Sequence, residues 1–231
     1  MFGDGLGRLG YRYALVFVDR ATRYIWVVGL KSLHADALIA AFAQFRAEAG
    51  RLAIQFWADC DTKLLSQQVM SWLRANGSDI ASAPAGRQSS NGLVEHNWRT
   101  MVEMARSYLT DMQMPHAFWF PTFQYAAHMM NCIPGKINDA LTTPFELIHH
   151  SPPDSHLWFP LFSVGYFHHT RDGLVARSGF QAQTLKGIAI GRSDTSNAML
   201  FYNPTTKPYF EPDTYKLDPS CFPSSVWPQS I

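Results

Sequence analysis

The sequence predicts an α/β fold with a mixed sheet, antiparallel at first and parallel later, followed by a small β-rich module. Three observations predict it. Two β-branched and aromatic runs, Tyr13–Asp19 and Arg23–Lys31, are joined by a short link, as in an antiparallel hairpin. Helix-like and strand-like segments then alternate, the pattern of a layered α/β domain. Past residue 150 only short strand-like pieces remain, which suits a small barrel.

Each element has a local cause. After the hairpin, Ser32 reads as a helix N-cap. Leu38, Phe42, Phe45 and Ala49 recur at helical spacing before Gly50 ends the helix. Residues 54–58 read as a short buried strand ending at Asp59. A helix over about Lys63–Ala75 is closed by Asn76-Gly77, and residues 79–83 form another short strand. Pro84–Asn91 is a polar loop, and Ser90 or Asn91 can cap the helix after it. That helix carries an apolar stripe of Val94, Trp98, Met101, Ala105, Tyr108 and Met112. A further helix runs from near Pro115 to about Asn131, with Pro121 kinking it or delaying its start. Residues 142–153 read as a tether with one helical turn. Strand-like pieces follow at 161–167, 185–190, 199–202 and 208–210, separated by turns at 171–173, 194–197 and 203–204. The expected domains are therefore 1–150, 151–219 and a frayed tail, 220–231.

Composition narrows the function classes. The chain has 231 residues, 47% of them hydrophobic, enough for a sizeable core and too apolar for a disordered chain. No run of 18 apolar residues suggests a membrane span, and the N-terminus does not read as a signal peptide. Lys and Arg number 19 against 18 Asp and Glu, so any nucleic-acid contact must rest on a local site. The three cysteines, Cys60, Cys132 and Cys221, are scattered without zinc spacing and read as free thiols.

Three carboxylates stand out. Asp59 ends a strand expected to be parallel, the usual place for chemistry in an open α/β sheet. Glu95 lies on the first turn of a helix whose polar face continues through Arg99, Glu103 and Arg106. Asp4 precedes the hairpin, on what would be an adjacent strand. Three convergent acids repel one another, and Mg²⁺ or Mn²⁺ offsets that repulsion with hard oxygen ligands. Two such cations about 3.5–4 Å apart suit phosphodiester chemistry. Blander readings stay open from the pattern alone. Asp4 can be a turn residue, Asp59 or Asp61 a helix cap, and Glu95 half of an ion pair with Arg99.

Four stretches resemble the integrase of copia-type retrotransposons, in the retroviral integrase superfamily. They are Asp4-Gly-Leu-Gly7, the segment 13–26, the stretch beginning at Asp59, and Gln88-Ser-Ser-Asn-Gly-Leu-Val-Glu95. Downstream, Met104-Ala-Arg106, Phe118-Trp119, Asn131-Cys-Ile-Pro134 and Thr143-Pro-Phe-Glu146 fall in the family's order. The resemblance implies a ribonuclease H-like three-layer core with a mixed five-stranded sheet, followed by an SH3-like β-barrel. It maps a catalytic, metal-binding Asp, Asp, Glu triad onto Asp4, Asp59 and Glu95. It implies Mg²⁺ or Mn²⁺ as cofactor, DNA (element ends and target) as partner, a homo-oligomer as the active form, and the nucleus as the place of action. Arg87, Gln88, Asn91 and Arg99 are the expected DNA contacts. A non-catalytic nucleic-acid-binding or multimerising remnant is the alternative function, and a ribonuclease H-like nuclease a third.

The chain also departs from the family. Cys60-Asp61 stand where Asn-Gly is usual, and Asp61 can assist a metal or cap a helix. Only three residues precede Asp4, and the upstream His/Cys zinc-binding region is missing, which reads as a piece of a polyprotein or the product of a decayed element. Asp19 rivals Asp4 but reads as a structural ion-pair partner of Arg20 or Arg23. His149-His150 and His168-His169 supply no tetrahedral zinc set. Trp26, Trp57, Trp72, Trp98 and Trp119 read as core anchors.

Overall fold

The computed structural model describes residues 10–58, 62–82, 92–154, 159–168, 184–192, 198–205, 209–212 and 214–223. Asp4, Asp59, Asp61, Arg87, Gln88 and Asn91 lie outside those residues, as does His169. The chain divides into two compact units, residues 1–104 with 126–153, and residues 105–125 with 154–231.

In the first unit, β1 (Tyr13–Val18) and β2 (Ile25–Leu30) form the expected antiparallel hairpin, with Val18 opposite Ile25 and Tyr13 opposite Leu30. Residues 19–24 close it. The Asp19 carboxylate accepts from the Thr22 backbone N–H at 2.8 Å and from its hydroxyl at 2.7 Å. The expected ion pair of Asp19 with Arg20 or Arg23 does not form. The turn brings Thr22 donors to the carboxylate first, an Asx-type closure.

Helix α1 (Ala35–Ala49) buries Leu38, Ala41, Phe42 and Phe45, one helical face. Its N-cap is His34, in an extended conformation, rather than Ser32. Gly50 ends it at φ 74°, a left-handed value suited to glycine. Strand β3 (Gln55–Ala58) pairs in parallel with β4 (Asp79–Ser82), through Gln55 opposite Asp79 and Ala58 opposite Ser82. The helix between them, α2 (Gln67–Ala75), starts later than expected. Ser66 holds the extended N-cap position, so neither Asp59 nor Asp61 caps it. Val69 and Leu73, one turn apart, are buried.

One aromatic cluster joins these elements. Phe17 of β1 stacks on Phe45 at 4.3 Å and meets Phe42 edge-on at 5.4 Å. Phe56 of β3 completes the group against all three rings. Val28, Leu30, Ala58, Ile80 and Leu73 fill the spaces between. On the other face of β2, Ile25 and Val27 are also buried. Burial of both faces is what a strand inside a layered α/β domain requires.

Helix α3 (Gly92–Asp111) buries Asn97, Met101, Ala105 and Leu109 at four-residue steps. Leu109 therefore takes the inner position expected of Tyr108 and Met112. A single 3₁₀ turn (His116–Phe118) precedes α4 (Trp119–Cys132), whose third residue is Pro121. The expected delayed start is observed, because proline is tolerated in a first turn that needs no N–H donor. Strands β5 (Gly135–Ile137) and β6 (Ala140–Thr142) form a hairpin that the sequence reading lacked. Its turn residues Asn138 and Asp139 both have positive φ, 49° and 66°, the geometry of a two-residue hairpin turn. Helix α5 (Pro144–His149) follows.

In the second unit, β7 (Val164–His168), β8 (Thr184–Arg192), β9 (Met199–Tyr202), β10 (Tyr209–Phe210) and β11 (Tyr215–Asp218) make one antiparallel sheet. Its order is β10-β9-β8-β7-β11. Strand β11 is an addition to the sequence reading. Gly165 and Gly187 face each other across β7 and β8. A methyl on Gly165 would overlap the Phe201 ring, and one on Gly187 would sit 2.9 Å from Phe167. The paired glycines are the floor on which Phe167 and Phe201 pack, 4.9 Å apart. A bulge between Ala189 and Gly191 bends β8, with Gly191 at φ 137°. Tyr202 turns to the other face and meets Phe118 at 5.1 Å. The Cys221 carbonyl accepts from the Val164 N–H at 2.8 Å.

Candidate functional site

Strand β3 ends at Ala58, so Asp59 is the next residue in the chain. The parallel pairing of β3 with β4 agrees with the parallel strand that the sequence predicts ahead of Asp59, which itself lies outside the described residues. Glu95 is in the first turn of α3, where a negative charge complements the helix dipole. Glu95, Arg99, Glu103 and Arg106 are all exposed, so the polar face of α3 is where the sequence put it. Glu95 and Arg99, both among the described residues, form no ion pair with each other. The Glu95 carboxylate is thus not spent on Arg99. Asp4 and Asp59, with the contacts expected of Arg87, Gln88 and Asn91, lie outside the described residues.

Among the described residues no group of three His, Cys, Asp or Glu side chains is placed to hold a metal ion. Two of the three expected ligands are not among them. Three carboxylates, the donor set that the resemblance implies, would suit a hard divalent cation such as Mg²⁺ or Mn²⁺. His149 lies against Phe145 and Tyr24, with its Nε2 3.5 Å from the Tyr24 hydroxyl. Burial, and then the neighbouring His150, push its pKa down. Trp57 is not the core anchor that the sequence predicts. It is 46% exposed, because β3 turns Phe56 and Ala58 toward the helices and Trp57 away from them.

Two downstream motifs have structural jobs. Asn131, 3% exposed, grips the backbone of Ile25 with both ends of its amide. Its Oδ1 accepts from the Ile25 N–H at 2.9 Å, and its Nδ2 donates to the Ile25 carbonyl at 2.8 Å. In Thr143-Pro-Phe-Glu146, the Glu146 N–H donates to the Thr143 hydroxyl, and the Thr143 N–H donates to the Glu146 carboxylate. This is a full capping box with Pro144 in the first turn.

The structure also assembles a group that sequence reading missed. Tyr166 of β7 lies opposite Lys186 of β8 on one side and Lys216 of β11 on the other. All three are exposed. The only signal in the sequence is their polarity at alternate strand positions; the register brings them together.

No protein-family model matches the chain. It is 30% identical over 129 residues to a retrovirus-related Pol polyprotein from transposon TNT 1-94 of Nicotiana tabacum, covering 54% of this chain and 10% of that protein. It is 25% identical over 222 residues to the corresponding protein of transposon RE2 of Arabidopsis thaliana, covering 94% of this chain and 15% of that one. Its homologues are retrovirus-related Pol polyproteins of plant transposons. Transposon RE1 of the same plant supplies another, 23% identical over 217 residues and 93% of this chain, with 14% of that protein covered. The chain therefore spans a small part of the length of these polyproteins. Among solved structures it is similar to the HTLV-2 integrase catalytic core domain in complex with magnesium, at TM-score 0.48 and 20% identity over 59% of this chain and 84% of that one. The BIV integrase catalytic core domain gives TM-score 0.47 and 16% identity over 58% and 84%.

Proposed function

We propose that this chain is the integrase segment of a copia-type retrotransposon Pol polyprotein, acting on DNA in the nucleus as a homo-oligomer. Its first unit is read as a ribonuclease H-like polynucleotidyl transferase core, and its five-stranded sheet as an SH3-like barrel. The observation that carries this reading is similarity to a Pol polyprotein over 94% of the chain. The parallel β3–β4 pair ahead of Asp59 and the exposed, unpaired-with-Arg99 position of Glu95 support it.

In this reading Asp4, Asp59 and Glu95 hold Mg²⁺ or Mn²⁺. When bound, the cations offset carboxylate repulsion and lend Lewis acidity at a scissile phosphodiester. Arg99, one turn beyond Glu95, holds a DNA phosphate, and the donors of Arg87, Gln88 and Asn91 hold others. Contacts to phosphates alone fix the DNA without reading its bases, so target choice is nearly blind to sequence. Hydrolysis of the element's end leaves a 3′-hydroxyl. That hydroxyl displaces a 3′ oxygen from a target phosphodiester, forming one phosphodiester as another breaks.

The test is Glu95→Gln, which keeps the shape and removes one charge. With oligonucleotides bearing the element's own ends and Mn²⁺ or Mg²⁺, the parent chain should yield joined strands. The variant should lose them by about 100-fold or more, with an unchanged thermal melt. Joining by the variant at the parent rate overturns the triad. Nicking without joining by the parent chain favours a nuclease instead.

A further inference from the structure

Two positions in the chain place a serine or threonine directly before a proline, Thr143-Pro144 and Ser151-Pro152. The fold treats them oppositely. Thr143 is 5% exposed and caps α5. Its hydroxyl accepts from the Glu146 N–H at 3.0 Å and donates to the Glu146 carboxylate at 3.1 Å. Ser151 stands just past the other end of the same helix. His150 closes α5 in a left-handed conformation at φ 54°, and Ser151 and Pro152 beyond it are exposed. The Ser151 hydroxyl forms no hydrogen bond among the described residues. The first unit ends at Pro153 and the second resumes at Asp154, so Ser151 belongs to a connection and not to a core.

We infer that Ser151 is the acceptor site of a proline-directed protein kinase. Each local feature meets a requirement of phosphoryl transfer. The acceptor hydroxyl must line up with the γ-phosphorus of ATP inside another protein's cleft, so it must stand clear of its own fold. Pro152 disfavours a helical conformation at Ser151 and keeps it extended. Its missing N–H also lets it enter an apolar pocket without leaving a donor unpaired. In the transfer, the Ser151 Oγ bonds to the γ-phosphorus and the bond from that phosphorus to the β,γ-bridging oxygen breaks. ADP leaves, and the hydroxyl proton passes to the kinase's catalytic aspartate. Thr143 carries the same dipeptide, but its oxygen is turned into the helix cap. The phosphate adds about −1.5 to −2 charge at pH 7, which takes the chain from a formal +1 to about −1. One modification thus reverses the sign of a nearly neutral chain and lowers its attraction for any polyanion.

Neither step draws on the carboxylate triad, so strand transfer and phosphorylation succeed or fail separately. The test incubates the full chain with a recombinant mitogen-activated protein kinase and Mg²⁺-ATP, and locates the phosphate by mass spectrometry. Ser151 should be labelled, and Thr143 about twentyfold less, because reaching Thr143 requires α5 to open. Ser151→Ala should lose total uptake by at least about tenfold, and Ser151→Thr should keep it. Pro152→Ala leaves the hydroxyl in place and should also lose uptake about tenfold, since the extended, donor-free position is gone. The phosphorylated parent should leave a heparin column at lower salt than the untreated chain, and kinase-treated Ser151→Ala should not shift. No phosphate on Ser151 under conditions that saturate myelin basic protein overturns the site. So does equal labelling of Thr143, or a Pro152→Ala protein labelled like the parent. An unchanged heparin elution overturns the charge reversal as a control on polyanion binding.

Discussion

The helix-covered core of the first unit and the five-stranded sheet of the second both pack phenylalanines, by opposite means. Around Phe17, space is made by distance: α1 stands off the hairpin, and four large rings fill the gap. Around Phe201, space is made by deletion: two glycines face each other on neighbouring strands, and the ring lies where side chains would be. The first core should therefore be sensitive to losing volume and the second to gaining it.

The largest effect should come from Phe17→Ala, which empties the centre of a closed cluster. A loss of about 3–5 kcal/mol in chemical denaturation is expected, and under 1 kcal/mol would mean the cluster is loosely packed. Asn131→Ala comes next. It leaves the buried N–H and carbonyl of Ile25 without partners, at roughly 1–3 kcal/mol each. Gly165→Ala should cost about 1–3 kcal/mol through overlap with Phe201. Gly135→Ala has open space at its Cβ and is the control, expected within about 0.5 kcal/mol of the parent. A Gly165→Ala protein as stable as that control would erase the contrast between the two cores.

Smaller effects read individual groups. Thr143→Ala removes the capping box of α5 and should cost about 1 kcal/mol. Tyr24 should add an alkaline signature. Burial, then the nearby Cys132 and Glu48, raise its pKa from 10.0 to about 12. A folded pKa above the unfolded one gives stability that is complete below pH 10 and is lost as pH rises toward 12. Melting temperatures across that window should fall more steeply for the parent than for Tyr24→Phe.

Elements made by local chemistry were legible in the sequence. The β1–β2 hairpin, the α1 face with its Gly50 stop, and the exposed Glu95–Arg106 face of α3 all follow from spacing. What escaped depends on partners far along the chain. The β5–β6 hairpin is too short to show alternation, although Asn138-Asp139 carries a turn signal. Strand β11 owes its place to pairing with β7, some fifty residues earlier. Trp57 reads as core because tryptophan usually is, and its place between Phe56 and Ala58 on β3 turns it to the opposite, exposed face. At the candidate site, the helix of Glu95 and its exposed polar face were readable from periodicity and polarity, while the caps expected at Ser90 or Asn91 lie outside the described residues. The Tyr166 row was not, since its three members meet only through register.

The Asn131 clamp has a consequence beyond holding a helix to a hairpin. A strand whose backbone donors and acceptors are open invites another chain to add to it, and such addition seeds aggregates. At Ile25 the amide of Asn131 mimics a neighbouring peptide group and fills both positions. Any foreign strand must first evict a side chain that is itself buried. A chain cut before Asn131 would keep the apolar hairpin and lose this guard, so truncated products should form strand-added aggregates that the longer chain resists.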